Sequence, residues 1–104
     1  MTKAGFLAEN GCIVGFKLEG HSTKNAEDDE GRNLCAAISS AAYMAANTIT
    51  DVIGDSADAK VKDGYMYFKV NKPSDASVAV LKGLKLHFAG LSKQYGKRLI
   101  ITEV

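Results

Sequence analysis

Two tight turns, Asn10-Gly11 and Asp63-Gly64, constrain this chain more than anything else in it. Each pair readily takes positive φ, the geometry of a short β-hairpin loop. The first turn joins residues 3–8 to residues 12–19. In the latter, Cys12, Val14, Phe16 and Leu18 alternate with Ile13, Gly15, Lys17 and Glu19. That is the period-two pattern of a half-buried strand. Cys12 reads there as a small buried hydrophobe. The second turn joins residues 58–62 to residues 65–71, where Tyr65, Tyr67 and Lys69 alternate with Met66, Phe68 and Val70. Pro73 closes this strand.

Between and after the hairpins the period changes to that of a helix. Over residues 33–53, Leu34, Ile38, Ala41, Ala42, Ala45, Ile49 and Val52 share one face, and Gly54 is a natural stop. A second helix spans residues 74–95. Val78, Leu81, Leu84, Phe88, Leu91 and Tyr95 lie on its apolar face, and Gly96 ends it. A last strand covers 97–103. The order β-β-α-β-β-α-β implies an α+β two-layer sandwich, with two helices on one face of a mostly antiparallel sheet. Residues 1–104 read as one domain.

Composition excludes several function classes. The net charge of +1 on 104 residues sets up no field for nucleic acid or a membrane surface. Lys93, Lys97 and Arg98 cluster, but three charges make a solvated helix end rather than a nucleic-acid footprint. No apolar run reaches the roughly 18 residues that span a bilayer. The start of the chain has no stretch suited to a signal peptide, so a cytoplasmic location is expected. Cys12 and Cys35 read as free thiols in a reducing compartment. No His, Cys, Asp and Glu spacing suits a metal, and no cofactor is expected. His87, beside Phe88, reads as a surface or partly buried histidine.

The polar stretch 20–32 reads as a loop long enough to suggest function. Gly20-His21 opens it, and Asn33-Leu34-Cys35-Ala36-Ala37-Ile38-Ser39 follows it. This spacing places Cys35 in the first turn of the helix beginning at 33, where free N–H groups and the dipole favour an anion. There the Cys35 and Ala36 N–H groups could form an oxyanion hole. His21, at a strand end, could take the thiol proton. Ser39 projects from the same side one turn later, facing either the dyad, a substrate or solvent. The acidic run Glu27-Asp28-Asp29-Glu30 reads as a solvated loop, or as an attractor for a basic peptide.

The pair Gly20-His21 and Cys35-Ala36-Ala37-Ile38-Ser39, with its spacing, resembles the G-H and C-A-A-x-S signature of the ribosomal-processing cysteine proteases. The hairpin before it, the Ala-rich helix after it and the Asp-Gly hairpin beyond are also similar. The resemblance implies Cys35 as nucleophile and His21 as its partner, with Ser39, Asn33 and Ala36 as supporting candidates. It implies removal of a short N-terminal extension from a large-subunit ribosomal protein. It also implies a mobile loop over the substrate groove and a homodimer. The stripe Ala79, Gly83, Leu86 and Gly90 on the second helix is a candidate interface. One residue departs from the family: Arg32 stands where its members carry Asp three residues before the Cys. Asp28, Asp29 or Glu30 could replace that carboxylate, or Asn33 could orient the imidazole. Arg32 also motivates the alternative of a peptide-binding module without catalysis. A thiol redox protein ranks last, because the Cys-x-x-Cys spacing is absent.

Overall fold

A computed structural model describes residues 1–103. Strands β1 (Thr2–Glu9) and β2 (Cys12–Gly20) form the first hairpin. Helix α1 (Asp29–Asn47) runs into a π-helical stretch, Thr48–Ile53. Strands β3 (Ala57–Lys62) and β4 (Tyr65–Val70) form the second hairpin, and helix α2 (Asp75–Tyr95) follows. A 3-10 turn, Gly96–Arg98, leads into β5 (Leu99–Glu103). The order β-β-α-β-β-α-β is the one the sequence implies.

The five strands lie in the order β3-β4-β2-β1-β5. All neighbours are antiparallel except β1 and β5, which run parallel. Both helices cover one face. The core there holds Phe6, Phe16 and Phe68 from the sheet, Leu34, Ile38 and Ile49 from the α1 segment, and Leu81 and Phe88 from α2. Phe16 stacks on Phe68 with ring centroids 5.5 Å apart, and Phe6 meets Phe88 at 6.1 Å. The opposite face is polar, with Lys17 and Glu19 paired at 2.9 Å. One face buried and one wet is what the strand alternation requires.

Three expectations need correction. Helix α1 begins at Asp29, not at residue 33. Asp28 is its N-cap and accepts from the Gly31 N–H at 3.1 Å, while Asp29 and Glu30 fill the first turn. The acidic run is therefore mostly helix start, stabilised by the dipole end it faces. Cys12 is exposed rather than buried. A β-bulge between Leu7 and Ala8 shifts the register to Ala8↔Ile13, and Ile13 rather than Cys12 packs against the core. Val52 lies off the core face at 79% exposure. The π-helical stretch bonds i to i+5, so the wheel that fits α1 loses phase there.

The helix ends are individually closed. Ser74 caps α2 by accepting from the Ser77 N–H, and Asp55 accepts from the Ser74 N–H, the Ser74 hydroxyl and the Ser77 hydroxyl. These bonds, Ser77's first, hold the Asp55 carboxyl below its ordinary range. Gly54 and Gly96 end their helical segments with positive φ, as their positions suggest.

Gly15 is the tightest point of the sheet. A Cβ there would fall on the Phe68 carbonyl oxygen and 2.8 Å from Lys69 Cα, both backbone. Neither atom can give way without breaking the β2–β4 ladder. Gly15→Ala should therefore lower stability by about 1–3 kcal/mol, the usual cost of forced overpacking, read from the midpoint of urea unfolding.

Candidate active site

The cleft that concerns chemistry opens where three elements meet: the end of β2, the outer face of α1 and the β3–β4 turn. It encloses about 240 Å³ and is lined by His21, Cys35, Ser39, Tyr43, Asp63 and Gly64, among others. Three of the expected site residues thus share one cleft: His21, Cys35 and Ser39. Asn33 and Ala36 do not line it and face solvent.

Each wall has a local cause. Gly20 ends β2 with φ +92, and its N–H donates to the Gly64 carbonyl at 2.9 Å. That bond ties the β2 end to the second hairpin turn. A Cβ at Gly20 would strike the Met1 carbonyl oxygen, so this crowded turn needs glycine. His21 follows, its own carbonyl accepting from the Met1 ammonium at 2.5 Å. Its imidazole lies across Gly64, where a Cβ would stand 2.7 Å from Nε2. Nε2 is 3.7 Å from Asp63 Oδ2, and the His21 side chain is 56% exposed. Asp63 reads in the sequence as a turn residue only. No local pattern reveals that the register of β2 against β4 brings that turn to the histidine.

Cys35 sits well past the first turn of α1. Its N–H and that of Ala36 point back along the helix and are used within it. The helix dipole falls off within a turn, so neither the dipole nor these two N–H groups serves the sulfur or an oxyanion. The thiol is met from the loop instead. The Ser22 N–H donates to Cys35 Sγ at 3.3 Å, and Thr23 Oγ1 lies 3.5 Å from the same atom. Among the described residues Cys35 has no hydrogen bond to His21.

The loop between histidine and cysteine is shorter than the sequence suggests, because α1 takes residues 29–32. What remains is heavily bonded. Asp28 Oδ2 accepts from the Lys24 N–H at 2.9 Å and from Arg98 Nη1 at 2.5 Å. Asn25 Oδ1 accepts from the Glu27 N–H at 2.9 Å. Arg32 is exposed and pairs with Asp29, one turn from the Asp28 cap. None of Asp28, Asp29 and Glu30 reaches the imidazole by an ion pair or hydrogen bond, and the carboxylate beside it is that of Asp63.

The fold is a small α+β sandwich, and one cleft in it holds a half-buried thiol and an imidazole. The model of the cysteine protease Prp family matches residues 1–100, and the chain belongs to that family. Solved structures agree on the fold. The ribosomal-processing protease Prp of Staphylococcus aureus, in complex with a covalently linked product peptide, superposes with a TM-score of 0.85 at 14% identity, covering 100% of both chains. The same protease in complex with a substrate peptide gives 0.87 at 13% identity, again over 100% of both. A protein of Streptococcus mutans gives 0.87 at 16% identity, over 100% of this chain and 94% of the other. None of the curated proteins matches the sequence.

The Asp28 carboxyl is held far below its ordinary range, first by Arg98 and then by the Lys24 and Gly31 N–H groups. A depressed carboxyl adds stability above its unfolded value of about 3.9, and that contribution fades as pH falls toward the folded value. The stability gap between the native protein and Asp28→Asn should be full at pH 7 and narrow steadily below about pH 4. Thermal melts of both proteins across that range check this. A gap that stays constant would contradict it.

Proposed function

We propose that this protein is a cysteine endopeptidase that removes a short N-terminal extension from a large-subunit ribosomal protein. In this reading residues 1–104 act as one protease domain in the cytoplasm. The carrying observation is the shared cleft: Cys35 and His21, brought from two elements, face one space with Ser39 beside them. Membership of the Prp family supports the reaction class. The Staphylococcus aureus protease seen with substrate and product peptides supports a peptide as the ligand.

The chemistry follows from the groups present. The peptide enters along the cleft between α1 and the β3–β4 turn. His21 turns from Asp63 toward Cys35 and takes the thiol proton. Its exposed side chain has room for that rotation. The thiolate attacks the scissile carbonyl carbon, forming the C–S bond of a tetrahedral intermediate. His21 returns the proton to the departing amine as the C–N bond breaks, leaving a thioester. Water, deprotonated by the same imidazole, then releases the acid and restores the thiol. Asp63, whose Oδ2 lies 3.7 Å from Nε2, is the carboxylate that receives the imidazole when it turns back, a place that Arg32 does not fill. Stabilisation of the oxyanion falls to groups other than the helix backbone, and the Ser39 hydroxyl is the candidate on the α1 wall. No step calls on a metal or an organic cofactor.

Cys35→Ala and His21→Ala should each abolish cleavage of a peptide spanning the ribosomal protein's N-terminal extension. Members of a catalytic unit typically contribute about four or more orders of magnitude. Circular dichroism should show an unchanged fold. Turnover near the native rate in either variant would falsify the dyad.

A homodimer belongs to the same proposal. Ala79, Gly83, Leu86 and Gly90 are all exposed on α2, and Leu86 is a large hydrophobe in open solvent. Gly83 borders an apolar groove of about 640 Å³ between α1 and α2, alongside Met44 and Leu84. A Cβ at Gly83 or Gly90 meets nothing within 4 Å of this chain, leaving room for a second backbone. Gly83→Glu should shift the sedimentation profile from dimer to monomer. An unshifted profile removes this interface.

A further inference from the structure

We propose that Arg98 is a positioning residue for Cys35, and that with Asp28 it clamps Ser22 so that the Ser22 N–H stays on the sulfur. This rests on Cys35 being the nucleophile of the proposed peptidase.

Ser22 is a loop residue with 2% exposure, burial seldom seen in a short polar connection. Each of its polar atoms is engaged. Its carbonyl accepts from Arg98 Nη1 at 2.9 Å. Its hydroxyl donates to the Arg98 carbonyl at 3.1 Å and lies 2.7 Å from Thr2 Oγ1. Its N–H, the remaining group, points at Cys35 Sγ. The residue is held from β1 by Thr2 and from the turn before β5 by both ends of Arg98.

Arg98 is itself fixed. The same Nη1 reaches Asp28 Oδ2 at 2.5 Å, with side chains only 23% and 11% exposed. Asp28 is also the N-cap of the helix that carries Cys35. One guanidinium therefore joins the donor's residue to the helix bearing its acceptor. Gly31 makes this approach possible. A Cβ there would overlap Asp28 Oδ2 and stand 2.6 Å from the Ser22 carbonyl oxygen and 2.8 Å from Arg98 Nη1. His21 is the residue next to Ser22, so the clamp also fixes where the imidazole leaves the backbone.

The geometry at stake is small. Displacement of a reacting group by about 1 Å can lower a rate by roughly 100-fold. Removing the guanidinium frees the loop, and the sulfur loses its placed donor while Ser39, Tyr43 and the β3–β4 turn of the cleft keep their places.

The test uses Arg98→Ala and Asp28→Asn. Asparagine still caps the helix, so the second variant removes the charge pair and keeps the cap. The first readout needs no substrate: amide hydrogen exchange at Ser22, followed by NMR. It should accelerate at least tenfold in both variants, while core amides of β1 and β4 keep their protection. The second readout is peptide cleavage. In Arg98→Ala, kcat should fall roughly 10- to 100-fold with KM within about twofold, and added guanidinium ion should restore part of kcat. Unchanged exchange at Ser22 overturns the proposal whatever the activity. Faster exchange with unaltered kcat overturns it too, as does a loss of kcat that guanidinium leaves untouched. If the native protein cleaves no ribosomal peptide while Ser22 exchange still answers to Arg98, the peptidase reading fails and the clamp stands. If Arg98→Ala does not fold, Asp28→Asn carries both readouts.

Discussion

The pairing of Arg98 with Asp28 is the contact on which the arrangement of the cleft depends. It links the loop after β2 and the start of α1, which adjoin in the chain, to the turn that enters β5, 70 residues beyond Asp28. An ion pair in open solvent adds little, because water screens it and two long side chains must be ordered. This one is largely covered, shares its donor with a backbone carbonyl and sits on a helix cap. It stabilises the start of α1 and holds the carbonyl of Ser22, the residue whose N–H meets Cys35.

The environment of the thiol differs accordingly from that of a cysteine at a helix mouth. A sulfur in a first turn meets free N–H groups and the positive end of a dipole. Here the first turn is occupied by Asp29, Glu30 and Gly31, and Cys35 lies deeper in the helix. Its donors come from a loop that folds back across it. A thiol supported in this way depends on loop order, and the loop is ordered by Arg98, a residue outside α1. The imidazole has a similar history. Asp63 and Gly64 receive it on the second hairpin, a surface brought close by strand pairing between β2 and β4.

Much of the fold is legible from local pattern. The two glycine turns, the alternation in β2 and β4 and the apolar face of α2 lead to strand and helix assignments close to those observed. The start of α1 is missed because four acidic residues and a glycine look like a solvated loop. An Asp at the cap followed by acids in the first turn is nevertheless a helix-start signal, and it was available at Asp28. Cys12 and Val52 fail for a different reason. Cys12 is separated from the rest of β2 by a bulge and Val52 lies within a π-helical stretch, and across such interruptions a wheel or an alternation no longer tracks the inner face.

The sequence by itself determines which residues can do chemistry and which elements carry them. One histidine after a strand, one cysteine before an alanine-rich run and a serine a turn later are covalent facts of spacing. Tertiary structure alone decides the neighbours. The Ser22 N–H, Asp63 and Arg98 reach the site across separations that no local period spans, through strand register and a charge pair between distant turns. Local patterns report the period of burial, and a period says nothing of which distant polar atoms will meet once the faces have packed.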